Sequence, residues 1–381
     1  MKKGLSIALL LIAISCGVFG HYHVSQRQLP AIQWHKENPP QGVFHVHSEA
    51  SHDSKITVEE IAQVATDMKL DFVVLTNHNS QQPPFNKNKI TFLSYAELST
   101  RFGHVIQFGA DTLLSQTQRN QMDLGPMLSQ NKATAIIAHP TDPKRPWNGR
   151  WRDIGGIEIA SASASFRRLG GPLFVGLLPS LASYQANKTL ALAQLYYRDH
   201  KALSRWDENP NPNQIGICGV DAHGRIDLQS NLDLWRLQLE IDLPQQTSQR
   251  AAAITEAIQQ GKFHCVATLF GRKAEFYFEA RQDNVTVGTA GDSVPASAID
   301  NLIVQAPMIR FPQKGQQLTM VLMRNGEEVL RQHGRQLSYQ RPSPGTYRVE
   351  IRIPVPNILI GYRSVPIIYS NKIRVLASQN Q

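Results

Sequence analysis

The sequence predicts an α/β barrel followed by a small all-β sandwich, and three observations support this fold class. Apolar strand patterns alternate with helix patterns from about residue 42 to residue 260, as in chains that form a mostly parallel sheet. Polar residues of metal-binding types directly follow the apolar strands, as on the working face of a barrel. Beyond Gly261 the helix patterns stop, and alternating segments separated by turn signals are typical of a sandwich.

The first 20 of the 381 residues have the pattern of a targeting segment. Lys2 and Lys3 precede an apolar run from Leu5 to Ile14, as in secretory signals. The run continues to residue 20, close to the length of a membrane anchor, and residues 13–16 resemble a lipoprotein cleavage box ending at Cys16. We therefore expect export to the periplasm or the cell exterior, with cleavage, lipidation and membrane attachment left open. Residues 21–40 are expected to form a linker.

The net charge of +9 favours an anionic partner. Lys and Arg are spread along the chain and form no basic stripe, which argues against nucleic acid as that partner. Without the leader only Cys218 and Cys265 remain, so a disulfide scaffold and a cysteine-rich zinc site are both excluded. These two cysteines are expected to be small buried side chains, with one disulfide as the alternative.

The first strand of the predicted barrel carries an H-x-H pattern at His45 and His47. Side chains on a strand alternate between faces, so the two imidazoles point to the same side. Two imidazoles held in this way can bind one metal ion, with the following loop returning a further ligand such as Asp53. His21 and His23 have the same spacing but precede any strand pattern, so we assign them no role.

The next elements bring further ligand types to strand ends. A capping box at Thr57 and Glu60 begins a helix. Beyond the helix, three strand patterns each carry a ligand type at one end, namely His78 after residues 71–75, Glu97 after residues 90–95 and His104 at the start of the return strand.

The second half of the predicted barrel repeats this arrangement. Helix patterns occupy residues 122–132, most of 172–206, and 248–260. Strand patterns occupy residues 133–138, 156–159 and 215–220, with His139 after the first, Glu158 within the second, and Asp221 and His223 after the last. Because the carboxyl ends of the strands share one face of a barrel, we expect these side chains to meet there. Glu158 is a candidate for supporting the ligands from behind.

Residues 264–381 are predicted to form the sandwich. Polar and apolar residues alternate at 274–279 and 346–351, and turn signals occur at Asn325-Gly326 and Pro344-Gly345. The predicted domains are therefore a barrel at residues 41–263 and a sandwich at residues 264–381.

Together these motifs resemble those of the PHP family of metal-dependent hydrolases, named for polymerase and histidinol phosphatase. The resemblance covers residues 41–263 and implies a distorted (β/α)7 barrel. It rests on nine ligand-type residues in the family's order: His45, His47, Asp53, His78, Glu97, His104, His139, Asp221 and His223. Residues 202–207 and 369–371 also resemble the secreted branch of the family, which hydrolyses carbamate esters and phosphoesters.

The resemblance implies a site for two to three divalent ions, which could be zinc, manganese or iron. It groups the residues into three sets: His45, His47, Glu97 and Asp221 for the first ion; Glu97, His104 and His139 for the second; Asp53, His78 and His223 for the third. His52 is an alternative to Asp53. The sequence departs from the family at Asn77, where the family has Asp, which puts the third ion in question because Asn supports an imidazole ligand less well.

The implied activity is hydrolysis of an anionic phosphoester by a metal-bound hydroxide, with Glu97, Asp221 and His223 as the catalytic residues. Clustered divalent ions lower the pKa of water and stabilise charge on an ester oxygen. Arg145 and Arg152 are candidates for binding the substrate, because a guanidinium matches phosphate oxygens. The alternatives are hydrolysis of a carboxylic or carbamate ester by the same fold, and a non-catalytic binding module that contains metal.

Overall fold

A computed structural model of the chain describes residues 27–32, 39–121, 124–151, 154–169, 184–209, 211–271, 275–357 and 361–377. The chain is a mixed α/β protein, as predicted. The predicted targeting segment at residues 1–20, with Cys16, lies outside these residues, and so does Arg152. Within the described ranges, no helix combines the length and the apolar character that crossing a membrane requires.

The elements of the first part of the chain alternate between strands and helices. The strands are β1 (Ala31–Ile32), β2 (Gln41–Val46), β3 (Phe72–Leu75), β4 (Phe85–Lys87), β5 (Ile90–Ser94), β6 (Ala96–Thr100), β7 (Gly103–Phe108), β8 (Thr134–Ile137), β9 (Gly156–Ser161), β10 (Ile215–Gly219), β11 (Trp235–Leu239) and β12 (Phe263–Ala267). The helices are α1 (Val58–Asp67), α2 (Gln116–Arg119), α3 (Leu124–Gln130), α4 (Ala162–Leu169), α5 (Lys188–Ala193), α6 (His200–Asp207), α7 (Leu228–Leu232) and α8 (Thr247–Gln260).

The C-terminal part is built from strands and two short 3-10 turns. The strands are β13 (Tyr277–Gln282), β14 (Val285–Gly288), β15 (Ser293–Pro295), β16 (Asn301–Gln305), β17 (Ile309–Arg310), β18 (Thr319–Arg324), β19 (Glu327–His333), β20 (Gln336–Gln340), β21 (Gly345–Asn357), β22 (Gly361–Ser370) and β23 (Ile373–Leu376). Asn325 and Gly326 both have positive φ, 49° and 86°, and connect β18 to β19 in the tight turn that this residue pair predicts.

Two sheets surround the predicted site. One has the order β10-β9-β8-β7-β6, and the other includes β11-β2-β3-β5-β4. Strands β2, β3 and β5 are parallel neighbours, and so are β8, β9 and β10. Their central residues are almost fully buried on both faces, which explains why the sequence shows them as short continuous apolar runs.

The two sheets meet at two seams close to the predicted ligands. At one seam Val46 bridges Ala222, and the Val220 N–H donates to the Phe44 carbonyl over 3.0 Å. At the other seam His78 bridges Glu97. The continuous ladders around the site nevertheless belong to two separate sheets, and within the described residues they do not close into a complete barrel.

The larger sheet continues into the C-terminal part of the chain. Strand β12 pairs with β22, with Cys265 opposite Tyr369, and β22 continues through β21 to β23 and β15. Hydrogen bonds therefore cross the predicted boundary at residue 263. A separate four-stranded sheet has the order β14-β13-β16-β20.

Several details differ from the sequence prediction. The described part of the segment predicted as mostly helical, 172–206, contains two short helices, α5 and α6, and residues 170–183 are outside the described ranges. Strands β11 and β12 were not predicted. Cys218 and Cys265 form a disulfide with a Cα–Cα distance of 5.8 Å. The expectation of two separate buried thiols is therefore wrong, and the alternative of one disulfide is correct. The disulfide connects β10 of one sheet to β12 of the other.

Candidate metal centre

The strand that carries the H-x-H pattern contains a bulge at its first histidine. Phe44 pairs with Val74 and Val46 with Leu75, so His45 is an extra residue in the ladder. His45 has a φ of 72°, in the left-handed region that a residue with a side chain rarely adopts. The Nε2 atoms of His45 and His47 lie 3.1 Å apart. The two rings converge as predicted, but through a bulge instead of regular alternation.

The first ligand group consists of these two histidines, Glu97 and Asp221. Glu97 Oε2 lies 3.3 Å from His45 Nε2 and 3.1 Å from His47 Nε2. Asp221 Oδ1 lies 3.4 Å and 3.5 Å from the same two nitrogens. Ligands about 2.0–2.2 Å from a metal ion lie about 3.0–3.5 Å from one another, so each of the two carboxylate oxygens is spaced from the two imidazoles as ligands of one ion are.

The second group forms around the other oxygen of Glu97. Glu97 Oε1 lies 2.8 Å from His104 Nδ1 and 3.0 Å from His139 Nε2. Each oxygen of this carboxylate thus faces a different set of imidazoles, and the side chain is only 1% exposed. Glu97 therefore connects the first group to the second.

The third group contains Asp53, His78 and His223. Asp53 Oδ2 lies 2.9 Å from His223 Nε2 and 3.4 Å from His78 Nε2. His47 belongs to this group as well, because its ligand atom lies within 4.8 Å of the others. His52, the predicted alternative to Asp53, is exposed and contacts the site through its ring, 5.1 Å from that of His78. The structure therefore favours Asp53 over His52.

The donor set fits divalent metal ions. All donors are imidazole nitrogens and carboxylate oxygens, which suit zinc, manganese and iron. They form four overlapping groups whose ligand atoms lie within 4.8 Å of one another, and most of them are buried. The buried Nδ1 atom of His78 lies 3.4 Å from Glu97 Oε2 and has no hydrogen-bond partner among the described residues, a costly state for a polar atom without a ligand.

The carboxylates of the site are held in their charged form. Burial by itself raises the pKa of Glu97, but the imidazoles of His45, His104 and His139 outweigh burial and hold that pKa well below its usual value. Burial of Asp221 is likewise outweighed by His45 and His47, and the pKa of Asp221 is also well below its usual value. Both groups are therefore carboxylates at neutral pH, the form that binds metal ions.

The histidines divide into two classes. Burial lowers the pKa of His78 to about 4 and lowers the pKa of His223 as well, so both are neutral ligands at pH 7. Burial also opposes a charge on His45, but Glu158, Glu97 and Asp221 outweigh it and raise the pKa of His45 well above its usual value. The carboxylates thus favour a positive charge at His45, which a proton or a metal ion can supply.

Glu158 supports the site from behind, as its position on a strand indicated. Its Oε1 lies 2.5 Å from His45 Nδ1. Its Oε2 accepts a hydrogen bond of 2.6 Å from the backbone N–H of His139. Gly219 packs against the same carboxylate, because a Cβ atom on Gly219 would lie 2.1 Å from Glu158 Oε1. The sequence marked Glu158 only as a charged residue between Ile157 and Ile159 on a buried strand.

Three of the candidate ligands have a backbone conformation that residues with a side chain rarely adopt. His45, His139 and Asp221 all have positive φ, at 72°, 29° and 50°. Each such residue costs about 1–3 kcal/mol, and such residues cluster at functional sites where the surrounding structure holds them. The three residues lie at or just beyond the ends of β2, β8 and β10, where the chain turns its side chains into the site.

Asn77 has a structural role beside the site. Its Oδ1 accepts hydrogen bonds from the Ser48 N–H over 2.8 Å and from the Ser48 hydroxyl over 3.2 Å. These bonds hold the loop that follows His47.

A cavity of about 260 Å³ opens beside the ligands. Its wall contains Asp53, His78, Glu97, His104, His139, Asp221 and His223 together with four cationic residues, Lys144, Arg145, Arg167 and Arg225. Arg145 Nη1 lies 3.5 Å from His104 Nε2, whereas Arg167 is paired with Asp142. Arg145 thus lies in the cavity wall beside the candidate ligands.

No model of a known protein family matches the chain, and no curated protein matches it either.

Proposed function

We propose that the protein is a metal-dependent hydrolase of the PHP type that acts on phosphoesters. The observation that carries this proposal is the arrangement of three adjoining ligand groups around Glu97 and His47, beside a cavity with a cationic wall. Metal-binding groups and cations on one cavity match the needs of phosphoryl transfer, in which positioning and charge stabilisation account for most of the catalysis.

The distorted (β/α)7 barrel is the fold that we propose for the N-terminal part. The seams at Val46–Ala222 and His78–Glu97 connect the two sheets at the site. Strand β5 leads directly into β6, and if these are counted as one bent strand, the proposed barrel would consist of seven strands: β2, β3, β5–β6, β7, β8, β9 and β10. The ligands near the carboxyl ends of β2, β3, β8 and β10 support this proposal, since barrel enzymes place their sites there.

Metal ions bound by these residues would lower the pKa of water and polarise an ester oxygen. Glu97 would bridge two ions, and His45 is held by Glu158 so that its Nε2 faces Glu97 and Asp221. Arg145 presents a guanidinium to the cavity, where its planar fork can bind two oxygens of a phosphate. Lys144 and Arg225 add positive charge to the same wall.

We also propose that the protein works in an oxidising compartment outside the cytoplasm. The Cys218–Cys265 disulfide supports this location, because disulfides persist in such compartments and are rare in the cytosol. The signal-like pattern at residues 1–20 points in the same direction.

The test begins with metal content, measured by plasma mass spectrometry on protein without residues 1–20. We expect two to three equivalents in the parent, and fewer in His45→Ala and Asp221→Ala while the circular dichroism spectrum stays unchanged. His333→Ala is the matched control, because His333 is exposed on β19 and should not alter the metal content.

A panel of phosphate, carboxylic and carbamate esters then tests the activity. Phosphate release that requires the metal, and that both ligand variants lose, would support the proposal. Near-zero metal after reconstitution with zinc, manganese and iron would overturn it. Metal without hydrolysis of any ester would leave a metal-containing binding module, whereas carbamate or carboxylic ester turnover alone would reassign the substrate.

A further inference from the structure

A second cavity, of about 270 Å³, adjoins the candidate metal centre and shares part of its wall. Asp221, His223, Lys144, Arg167 and Arg225 line both cavities. The rest of the second cavity is mostly apolar, lined by Ala162, Phe166, Leu195, Val220, Ile226 and Leu234. The two neighbouring cavities thus share a charged wall, here called the charged half, and the second cavity adds an apolar wall, the apolar half.

We propose that the apolar half binds the alcohol part of the substrate, and that the substrates are phosphate monoesters of aryl or medium-chain alkyl alcohols. This inference rests on the proposed function and names its substrate class. In the reaction, the oxygen of water bonds to phosphorus, the bond from phosphorus to the alcohol oxygen breaks, and the alcohol leaves with a proton as inorganic phosphate forms.

The positions of the two halves support this orientation. Asp221 and Val220 are adjacent in the chain, yet the first belongs to the ligand set and the second to the apolar wall. A phosphate near the ligands and the cations would therefore direct its ester substituent toward Val220, Leu195 and Leu234. These three side chains are 1%, 7% and 2% exposed, so the wall is formed by the packed core of the protein.

The volume and the polarity of the apolar half limit the size and the polarity of the alcohol part of the substrate. A volume of 270 Å³ equals about nine waters of about 30 Å³ each, which is enough for a phenyl or hexyl group. Beyond the shared charged residues, Ser163 and Asn231 are the polar side chains of its described wall. A sugar or another polyhydroxylated alcohol would lose hydrogen bonds to water there without sufficient replacement.

Phe166 lies at the outer side of this half. Its side chain is 51% exposed although it also lines the cavity, and it stands one residue before Arg167 of the shared wall. A large exposed aromatic at the edge of an apolar cavity is the expected feature of a residue that covers a bound apolar group. We therefore infer that Phe166 contributes to substrate specificity.

Binding of phosphonates tests the inference separately from catalysis, because phosphonates are not hydrolysed. Methylphosphonate, hexylphosphonate and phenylphosphonate are titrated calorimetrically into the full chain reconstituted with zinc or manganese. Each buried methylene group increases the affinity about fourfold, which corresponds to about 0.8 kcal/mol. The conformational freedom that the hexyl group loses on binding offsets part of this gain. We expect hexylphosphonate to bind at least tenfold more tightly than methylphosphonate, with phenylphosphonate also preferred.

Variants of the apolar wall test whether it causes the preference for hexylphosphonate over methylphosphonate. Phe166→Ser and Ile226→Asn should each reduce the ratio of hexyl to methyl affinity by at least threefold and leave methylphosphonate binding unchanged. Leu376→Ser is the matched control, because Leu376 is 47% exposed on β23 and lines neither cavity. Phe166 is exposed, so its replacement should preserve the fold.

The outcomes separate the two proposals. Equal affinity for the three phosphonates in a protein that hydrolyses phosphate esters overturns the apolar subsite and leaves the hydrolase intact. A hexyl preference that Phe166→Ser reduces, in a protein that hydrolyses no ester, supports the subsite and overturns the hydrolase. Absence of both phosphonate binding and ester hydrolysis overturns both.

Discussion

The Oε1 atom of Glu158 lies 2.5 Å from the Nδ1 atom of His45, although 113 residues separate the two in the chain. A carboxylate behind an imidazole fixes the orientation of the ring and makes its other nitrogen a better metal ligand. Here that other nitrogen, Nε2, lies between Glu97 and Asp221. The pair thus links β9 of one sheet to β2 of the other.

Replacing Glu158 with Gln should weaken metal binding by about 10–100-fold, because the neutral amide keeps the shape of the side chain but loses the charge behind His45. Competition with a chromogenic chelator measures this affinity. Glu328→Gln, at an exposed glutamate paired with Arg331, is the control and should bind metal like the parent. Unchanged affinity in Glu158→Gln would show that the carboxylate has no such role.

Glu350 is the centre of a buried ionic cluster that joins the N-terminal part to the C-terminal strands. Its carboxylate is fully buried and accepts hydrogen bonds from Arg198, Arg348 and Arg352, and Arg348 also pairs with Asp207 at the end of α6. Burial alone would raise the pKa of Glu350, but the guanidiniums of Arg348 and Arg198 hold it far below its usual value.

Glu350→Gln should lower the free energy of unfolding by about 3–5 kcal/mol, because it leaves buried guanidiniums without their counter-charge. Urea unfolding followed by tryptophan fluorescence measures this change. Glu328→Gln is again the matched control: its partner Arg331 is on the surface, where ion pairs contribute about 0–1 kcal/mol. Similar losses in the two variants would contradict the assigned importance of the buried cluster.

Lys372 is buried, and its ammonium donates a hydrogen bond of 2.8 Å to the carbonyl of Trp206. Burial lowers the pKa of Lys372 from 10.5 to about 8. Between pH 8 and pH 10.5 the unfolded chain therefore holds a proton that the folded protein has released. Since the unfolded state binds more protons, this group increases the free energy of unfolding as the pH rises through that range.

Lys372→Met should remove this pH dependence. Relative to the variant, the parent should gain about 2 kcal/mol in the free energy of unfolding between pH 7.5 and pH 9.5. Urea unfolding of both proteins at these two pH values gives the difference directly, and other titrating groups cancel between them. Parallel pH profiles for parent and variant would be the contrary result.

The Cys218–Cys265 disulfide joins the strand that leads to Asp221 to the sheet that carries His45. It closes a loop with a sequence separation of 47, for which removal should cost about 4 kcal/mol by loop entropy. We expect reductant to lower the Tm of the parent clearly. The double variant Cys218→Ala, Cys265→Ala should have the lower Tm from the start and show no response to reductant. Equal Tm values for reduced and oxidised parent would contradict this prediction.

The sequence alone determined which residue types follow which strands. Buried parallel strands appear as short apolar runs, so the local pattern placed ligand-type residues at strand ends. Their order along the chain then carried the resemblance that grouped nine of them into one site. The helix at Val58–Asp67 was predicted from a capping box that the structure contains. These features depend on residues close together in the chain.

Tertiary structure alone decided the contacts between distant segments. The Glu158–His45 pair, the disulfide, the continuation of the sheet through β12 and β22, and the apolar half of the cavity all join residues that are far apart in sequence. The bulge at His45 likewise depends on its partner strand β3, because register is a property of the pair of strands. A local sequence pattern indicates on which face of a strand or helix a side chain lies. Which residues that side chain contacts is determined only by the packing of distant segments.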